Sequence, residues 1–308
     1  MKYLLLFLFL LLPILSAHEV LTQGKGKLVI INSKGAVTWE MKWGGIHDVH
    51  LLPSGNILVQ EKMRRLVEID RKTKKVVWSY DAAASNGNEG KRMELHSFQP
   101  LGEGKFMIAE SGPARIIEIN REGKLLKEFA LTVDHPNAHT DTRLVRKLAN
   151  GHYLVCHEAD GKLREYDGGG KVVWEYEVPL FGKENKGGHG LEAFGNRLFG
   201  ALRLKNGNTL IATGNGHSVI EVTPLKKVVW KLTQDELPEI RLAWVTTLEV
   251  LPNGNYVIGN CHAGPGNPLL IEIEPKSKKV VWTFDEFERL GNAVSNSLLL
   301  DLAGKTNR

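Results

Sequence analysis

Short stretches in which apolar and polar residues alternate recur along the whole chain. Leu66-Val67-Glu68-Ile69-Asp70, Ile116-Ile117-Glu118-Ile119-Asn120 and Leu270-Ile271-Glu272-Ile273-Glu274 are three of them. Alternation with period two predicts strands with one buried face. A second run follows each, after a turn, and carries a common signature: Lys75-Val76-Val77-Trp78, Lys171-Val172-Val173-Trp174, Lys227-Val228-Val229-Trp230 and Lys279-Val280-Val281-Trp282. Lys124-Leu125-Leu126-Lys127 and Ala36-Val37-Thr38-Trp39 are degenerate copies, so the unit occurs six times at a period of about 50 residues.

Each unit also contains an earlier hairpin turn: Pro53-Ser54-Gly55-Asn56, Gly102-Glu103-Gly104-Lys105, Ala149-Asn150-Gly151-His152, Lys205-Asn206-Gly207-Asn208 and Pro252-Asn253-Gly254-Asn255. The glycines supply the positive φ that tight hairpins need. Every unit therefore reads as four antiparallel strands, A to D, which is a propeller blade. The ends complete the count. Asn292 to Leu302 reads as a lone strand A with its turn, and Glu19 to Lys42 supplies strands B, C and D. The expected fold is an all-β, six-bladed β-propeller of four-stranded antiparallel blades, closed by a composite N-/C-terminal blade. Its blades span about 19–42 plus 292–308, 45–93, 94–139, 140–195, 196–243 and 244–291, forming one domain over 18–308. Closure of this kind hides open strand edges. Val, Val and Trp of the signature are strand formers, and the Trp is expected to pack between blades.

The first 17 residues change the picture of where the protein works. Lys2, the apolar run Tyr3 to Leu15, and the small pair Ser16-Ala17 read as a signal peptide over 1–17. The run is too short to span a bilayer comfortably. The expected location is secreted or periplasmic, with no membrane span after cleavage. Cys156 and Cys261 fall in non-adjacent blades and read as separate buried thiols. The net charge of +5 is spread along strands and turns, without the basic run of a nucleic-acid arm, so no nucleic-acid partner is expected.

Val67 to Trp78 resembles the repeat of quinoprotein-like (PQQ-repeat-like) β-propellers, and the resemblance covers nearly the whole mature chain. The quinone-dependent dehydrogenases of that superfamily are eight-bladed and carry a vicinal disulfide at the cofactor. With six repeats and no adjacent cysteines, PQQ is not expected here. Ile46-His47-Asp48-Val49-His50-Leu51-Leu52-Pro53-Ser54-Gly55-Asn56 also resembles a segment of bacterial arylsulfotransferases, propeller enzymes that pass sulfate through a histidine.

In a propeller, strand A lines the central channel, and the loops before A and after B open on one face. Counting back eight residues from each turn glycine gives equivalent positions: His47, His96, Arg143, Phe199, Thr246 and Asn296. His47, His96 and Arg143 are therefore the candidate catalytic residues. Asp48, Glu110, His157, His189 and His262 are the candidate ligand-binding residues. His135, His139, Asp141 and Glu192 lie in loops on the same face. The insertions Asp81 to Glu94, Val178 to Asn196 and Thr233 to Ala243 rim it.

Three chemistries fit this set. Imidazoles with a carboxylate can hold a divalent metal. His and Arg suit acid–base work or binding of sulfate, phosphate or carboxylate. A histidine can accept an activated group. Plainer readings stand beside them: His47-Asp48 as a hydrogen-bonded strand start, His135 and His189 as loop residues, and Arg143 as half of a buried ion pair. The sequence thus leads to a propeller that binds or processes a small anionic or glycan-type ligand. The alternatives are a non-catalytic envelope scaffold with a protein partner, or group transfer through a histidine.

Overall fold

The computed structural model describes residues 18–308; the expected signal peptide, 1–17, lies outside them. Twenty-four strands form six four-stranded antiparallel sheets. The innermost strands are Val49–Leu51, Glu94–Gly102, Val145–Lys147, Gly200–Arg203, Trp244–Val250 and Ser297–Leu299. We number the first five blades I to V in that order. The sixth is the closure blade. There Ser297–Leu299 pairs antiparallel with Val20–Gly24, which pairs with Lys27–Ile31 and then with Val37–Lys42.

Alternation along the strands places the core between blades rather than at a single centre. Six clusters of buried side chains each join two neighbouring blades. Leu154, Cys156 and Leu163 of blade III, for example, meet Ile211, Ile220 and Val222 of blade IV. Each interface buries about ten apolar side chains, and such burial is the main stabilising term. Cys156 and Cys261 are both buried and unbonded to each other.

The signature tryptophans tie blades together by a repeated contact. Trp39 Nε1 donates to the Arg71 carbonyl (2.8 Å), Trp78 to Arg121 (2.7 Å), Trp174 to Pro224 (2.9 Å) and Trp230 to Pro275 (2.8 Å). Each acceptor lies in the C–D turn of the next blade. The valines beside them face solvent: Val77, Val173 and Val229 are 51%, 47% and 50% exposed. The acidic residue of strand C has a matching role, since Glu68, Glu221 and Glu272 accept from Asn56, Asn208 and Asn255 in their own hairpin turns. The Gly-Asn turn thus serves twice, through its backbone and its amide.

The ring is fastened at the closure blade by His18. Its Nδ1 lies 3.0 Å from Asp301 and its Nε2 3.1 Å from Glu272, and its ring meets Trp282 edge-on at 4.8 Å. No helix among the described residues is long and apolar enough to cross a membrane.

Candidate functional site

Where the innermost strands begin, the channel opens into a cavity of about 110 Å³ to which every blade contributes. His47 comes from blade I, His139 from the loop after blade II, and Arg143 from the start of blade III. His189 comes from the loop after blade III and Phe199 from blade IV. Trp244, Cys261 and His262 come from blade V, and Ser295 from the closure blade. His96 is fully buried beneath, with its ring stacked on His47 at 4.7 Å and edge-on to His139 at 5.5 Å. Leu144, Phe199, Trp244 and Cys261 form an apolar cluster at the cavity wall.

Closure of the ring positions His47. Ser295 donates to the Ile46 carbonyl, and Asn296 Nδ2 donates to the His47 carbonyl at 2.9 Å. His189 arrives on the glycine-rich insertion, which is pinned by a two-way backbone bridge between Lys186 and Phe194 (2.7 and 2.9 Å). Its ring meets Trp244 at 4.2 Å and His262 at 5.4 Å.

Arg143 is the positive centre. Its Nε donates to the buried Glu158 carboxylate. Its Nη1 lies 3.4 Å from His47 Nδ1, and 3.2 and 3.4 Å from the two nitrogens of His96. Glu158 is also approached by Arg197 at 3.6 Å, so two guanidinium groups share one carboxylate. His47, His96, His189 and His262 are all shifted toward the neutral form. Burial, then His96 and Arg143, hold His47 well below its ordinary value. Burial brings His96 down to about 4, partly offset by Glu94. Burial, His262 and Arg143 bring His189 to about 4. Burial lowers His262. The pocket therefore combines a cation with several uncharged imidazoles whose electron pairs can accept protons or bind electrophiles.

Glu94 is shared by two of these rings. Its Oε2 lies 3.0 Å from His96 Nε2 and 2.7 Å from His139 Nδ1. One ligand atom from each of the three residues lies within 4.8 Å of the others, a set with the composition of a metal site.

A sequence profile of the outer membrane protein assembly factor BamB matches residues 24–285. The chain belongs to this family. The match agrees with the PQQ-like repeat read from the signature segments. No curated protein matches this BamB-family chain significantly. Among solved structures, a Bacteroides caccae protein of unknown function is 23% identical, with a TM-score of 0.73 over 92% of this chain and 98% of its own. A virginiamycin B lyase from Staphylococcus aureus is 13% identical, with a TM-score of 0.53 over 85% and 82%. The WD40 propeller domain of Doa1 is 15% identical, with a TM-score of 0.54 over 78% and 71%. At these identities the likenesses concern the fold.

Within the BamB-family propeller, His47, His96, Arg143, His189 and His262 come together as expected. Asp48, Glu110 and His157 lie elsewhere. The Asp48 carboxylate, fully buried, takes Arg146 at 2.8 and 3.1 Å and Ser97 at 3.0 Å. Arg146, followed by His50, pulls its pKa far down against the cost of burial. Glu110 binds Arg115 at 2.5 Å. His157 is held between the Asp141 carbonyl (2.8 Å) and the Tyr166 hydroxyl (2.9 Å). His135 pairs with Asp160 on the rim.

Sequence reading left Glu94 and Trp244 out of the site; Glu158, at the end of its strand B, reads as a residue of that face. Glu94 stands two residues before His96 on one strand, but a bulge at His96 interrupts the alternation there, so only its nearness in sequence pointed to it. Trp244 could not have been found, because a bulge between Val245 and Leu248 breaks the eight-residue count. Gly259 opposite it has no room for a Cβ, which would sit 2.4 Å from Thr246 Oγ1. Thr246 is thus buried, and Trp244 takes the pocket position.

Proposed function

We propose that this BamB-family propeller is a secreted or periplasmic protein that binds a small anionic ligand at its histidine-lined channel mouth and is equipped to process it. The observation that carries this reading is the convergence of all six blades on one small cavity, with Arg143 and neutral His47, His189 and His262 on its wall. A guanidinium supplies directed hydrogen bonds to sulfate, phosphate or carboxylate. The neutral imidazoles supply general bases or a nucleophile, and Trp244 and Phe199 supply faces for an apolar or sugar portion.

The test is a thermal-shift series with sulfate, phosphate, acetate and a phenyl sulfate ester. The wild-type protein is expected to gain several degrees with at least one of them, since a ligand at about 100 times its Kd adds roughly 2.7 kcal/mol. The gain is expected to vanish in the His47→Ala/His262→Ala double variant. No shift with any of the four would contradict the reading. Turnover of the ester, lost in the same variant, would specify group transfer through histidine.

A second reading is supported by the family itself, named for outer-membrane protein assembly. The exposed valines of the outermost strands offer apolar contact area on the ring's perimeter. In that reading the propeller is an envelope scaffold. Its partner would still be captured by the double variant and lost when Val77, Val173 and Val229 are changed to Lys.

A further inference from the structure

We propose that Glu94, His96 and His139 form a site for a divalent transition-metal ion, with its remaining coordination positions open to the channel mouth. The assignment rests on the ligand-pocket reading only for the use made of the ion; the site itself stands on separate observations.

The first is the donor set. Two imidazoles and one carboxylate, from two adjacent stretches of backbone, present ligand atoms within 4.8 Å of one another. Zinc binds nitrogen and carboxylate oxygen at about 2.0–2.2 Å, which sets tetrahedral ligands about 3.4 Å apart. Glu94 Oε2 lies 3.0 and 2.7 Å from the two ring nitrogens, closer than that separation, so the Glu94 carboxylate and the exposed His139 ring must draw apart slightly around the fixed His96 to admit the ion.

The second observation is an unresolved hydrogen-bond demand. His96 Nδ1 faces the Thr142 carbonyl, an acceptor, at 2.9 Å, closer than the Arg143 Nη1 donor at 3.2 Å, and the shorter contact places the ring hydrogen on Nδ1. Nε2 then presents its electron pair to Glu94 Oε2, another acceptor, at 3.0 Å. Two electron pairs facing each other call for a cation between them. A second proton on His96 would answer that demand for His96 and Glu94 alone, and the Arg143 charge beside the ring is offset by Glu158. A metal ion bound to Nε2 satisfies His96, His139 and Glu94 together. The Nδ1–H to backbone carbonyl contact is the usual outer support of a metal-bound histidine.

The third is rigidity. His139 is carried by a loop whose backbone is tied down at both ends. Its own N–H donates to Asn137 Oδ1 at 2.9 Å, and the buried Asp141 accepts from Asn137 N and from Gly112 N. His96 cannot move, since it is fully buried. Three protein ligands leave at least one position for water or ligand, the pattern of a reactive rather than a sealed site. Arg143, neutralised by Glu158, would then sit beside an anion bound to the metal.

The test uses the mature protein, stripped with chelator and titrated with Zn²⁺ or Co²⁺. The expected result is about one metal per chain by mass spectrometry, and a Co²⁺ visible spectrum of nitrogen–oxygen coordination. Affinity is expected to fall by at least about tenfold in Glu94→Gln and in His139→Ala. His139 is exposed, so His139→Ala should keep the wild-type circular dichroism. Retention of almost no metal, or equal affinity in both variants and wild type, would overturn the assignment. The anion-induced thermal shift, measured on stripped protein, separates the two ideas. If it persists without metal binding, only the metal site falls. Metal binding without any anion shift would instead leave the site standing and remove the ligand-pocket reading.

Discussion

The two ends of the central channel differ in size and in how their charges are matched. The turn end has the larger cleft, about 500 Å³ against 110 Å³ at the histidine end. It is lined by Arg146, Lys147, Arg203 and Arg308 among others. Yet Arg146 is held by Asp48, Lys147 by Glu118 and Arg203 by Glu165. Arg308 reaches across to the Val49 and Ser297 carbonyls at 2.6 and 3.3 Å, and Asn307 exchanges backbone hydrogen bonds with Val250. That end is a network of paired charges that locks the innermost strands, although the Nε atoms of Arg146, Arg203 and Arg308 and the Thr306 hydroxyl have no partner. At the other end, His47, His96, His139 and the Glu94 carboxylate crowd together beside the Arg143 guanidinium. Volume points to the first, and the gathering of titratable side chains with shifted pKa values around one cation points to the second. Such a cluster is the better guide to a ligand, because perturbed groups collect at functional sites.

The comparison can be broken most directly by Asp48→Ala. It strands the Arg146 charge in the channel and should cost about 3–5 kcal/mol, a fall of roughly 10 °C in melting temperature. The His47→Ala/His262→Ala variant should stay within about 2 kcal/mol of wild type. Equal losses in the two variants would mean that both ends are structural. Next in size is Trp174→Phe, which keeps an aromatic ring but removes the hydrogen bond to Pro224. A loss of about 1 kcal/mol in denaturant unfolding is expected. A neutral outcome would show that the blade-to-blade bond is not a staple.

The smallest effect concerns the closure. Burial opposes a charge on His18, but hydrogen bonds to Glu272 and Asp301 outweigh it and raise the pKa above its ordinary 6.5. The folded state then holds the proton more tightly than the unfolded chain. This contribution is complete below a pH of about 6.5 and is lost as pH rises through the raised value. Glu249 also senses the His18 charge. The melting-temperature gap between wild type and His18→Gln should therefore narrow from about pH 5.5 to about pH 8.5. A gap that widens would mean that His18 is bound neutral.

The fold was legible because its determinants are local and repeated. The alternation, the Gly turns and the signature tryptophans each recur, and even the degenerate Lys124 copy folds as a full blade, with Lys127 over the Tyr153 ring in place of a tryptophan. The site was legible where side chains sit at strand starts in register, as with His47, His96 and Arg143. It was not legible where long-range pairing decides. Asp48 reads as a ligand-binding residue beside His47, but Arg146, 98 positions away, claims it. Arg143 reads equally as an anion binder and as half of a buried ion pair, and the structure supplies the pair through Glu158. His139 and Glu94 gain meaning only when the blade II–III loop folds back over its own first strand.

The central claim is that the histidine end is a ligand site. A crystal structure of the protein purified without chelators, at a resolution that shows ordered solvent, tests it most directly. The account predicts ordered non-protein density bridging Glu94, His96 and His139 and extending toward Arg143. A cavity holding only disordered solvent, with its histidines hydrogen-bonded to one another and to the surrounding loops, would contradict it.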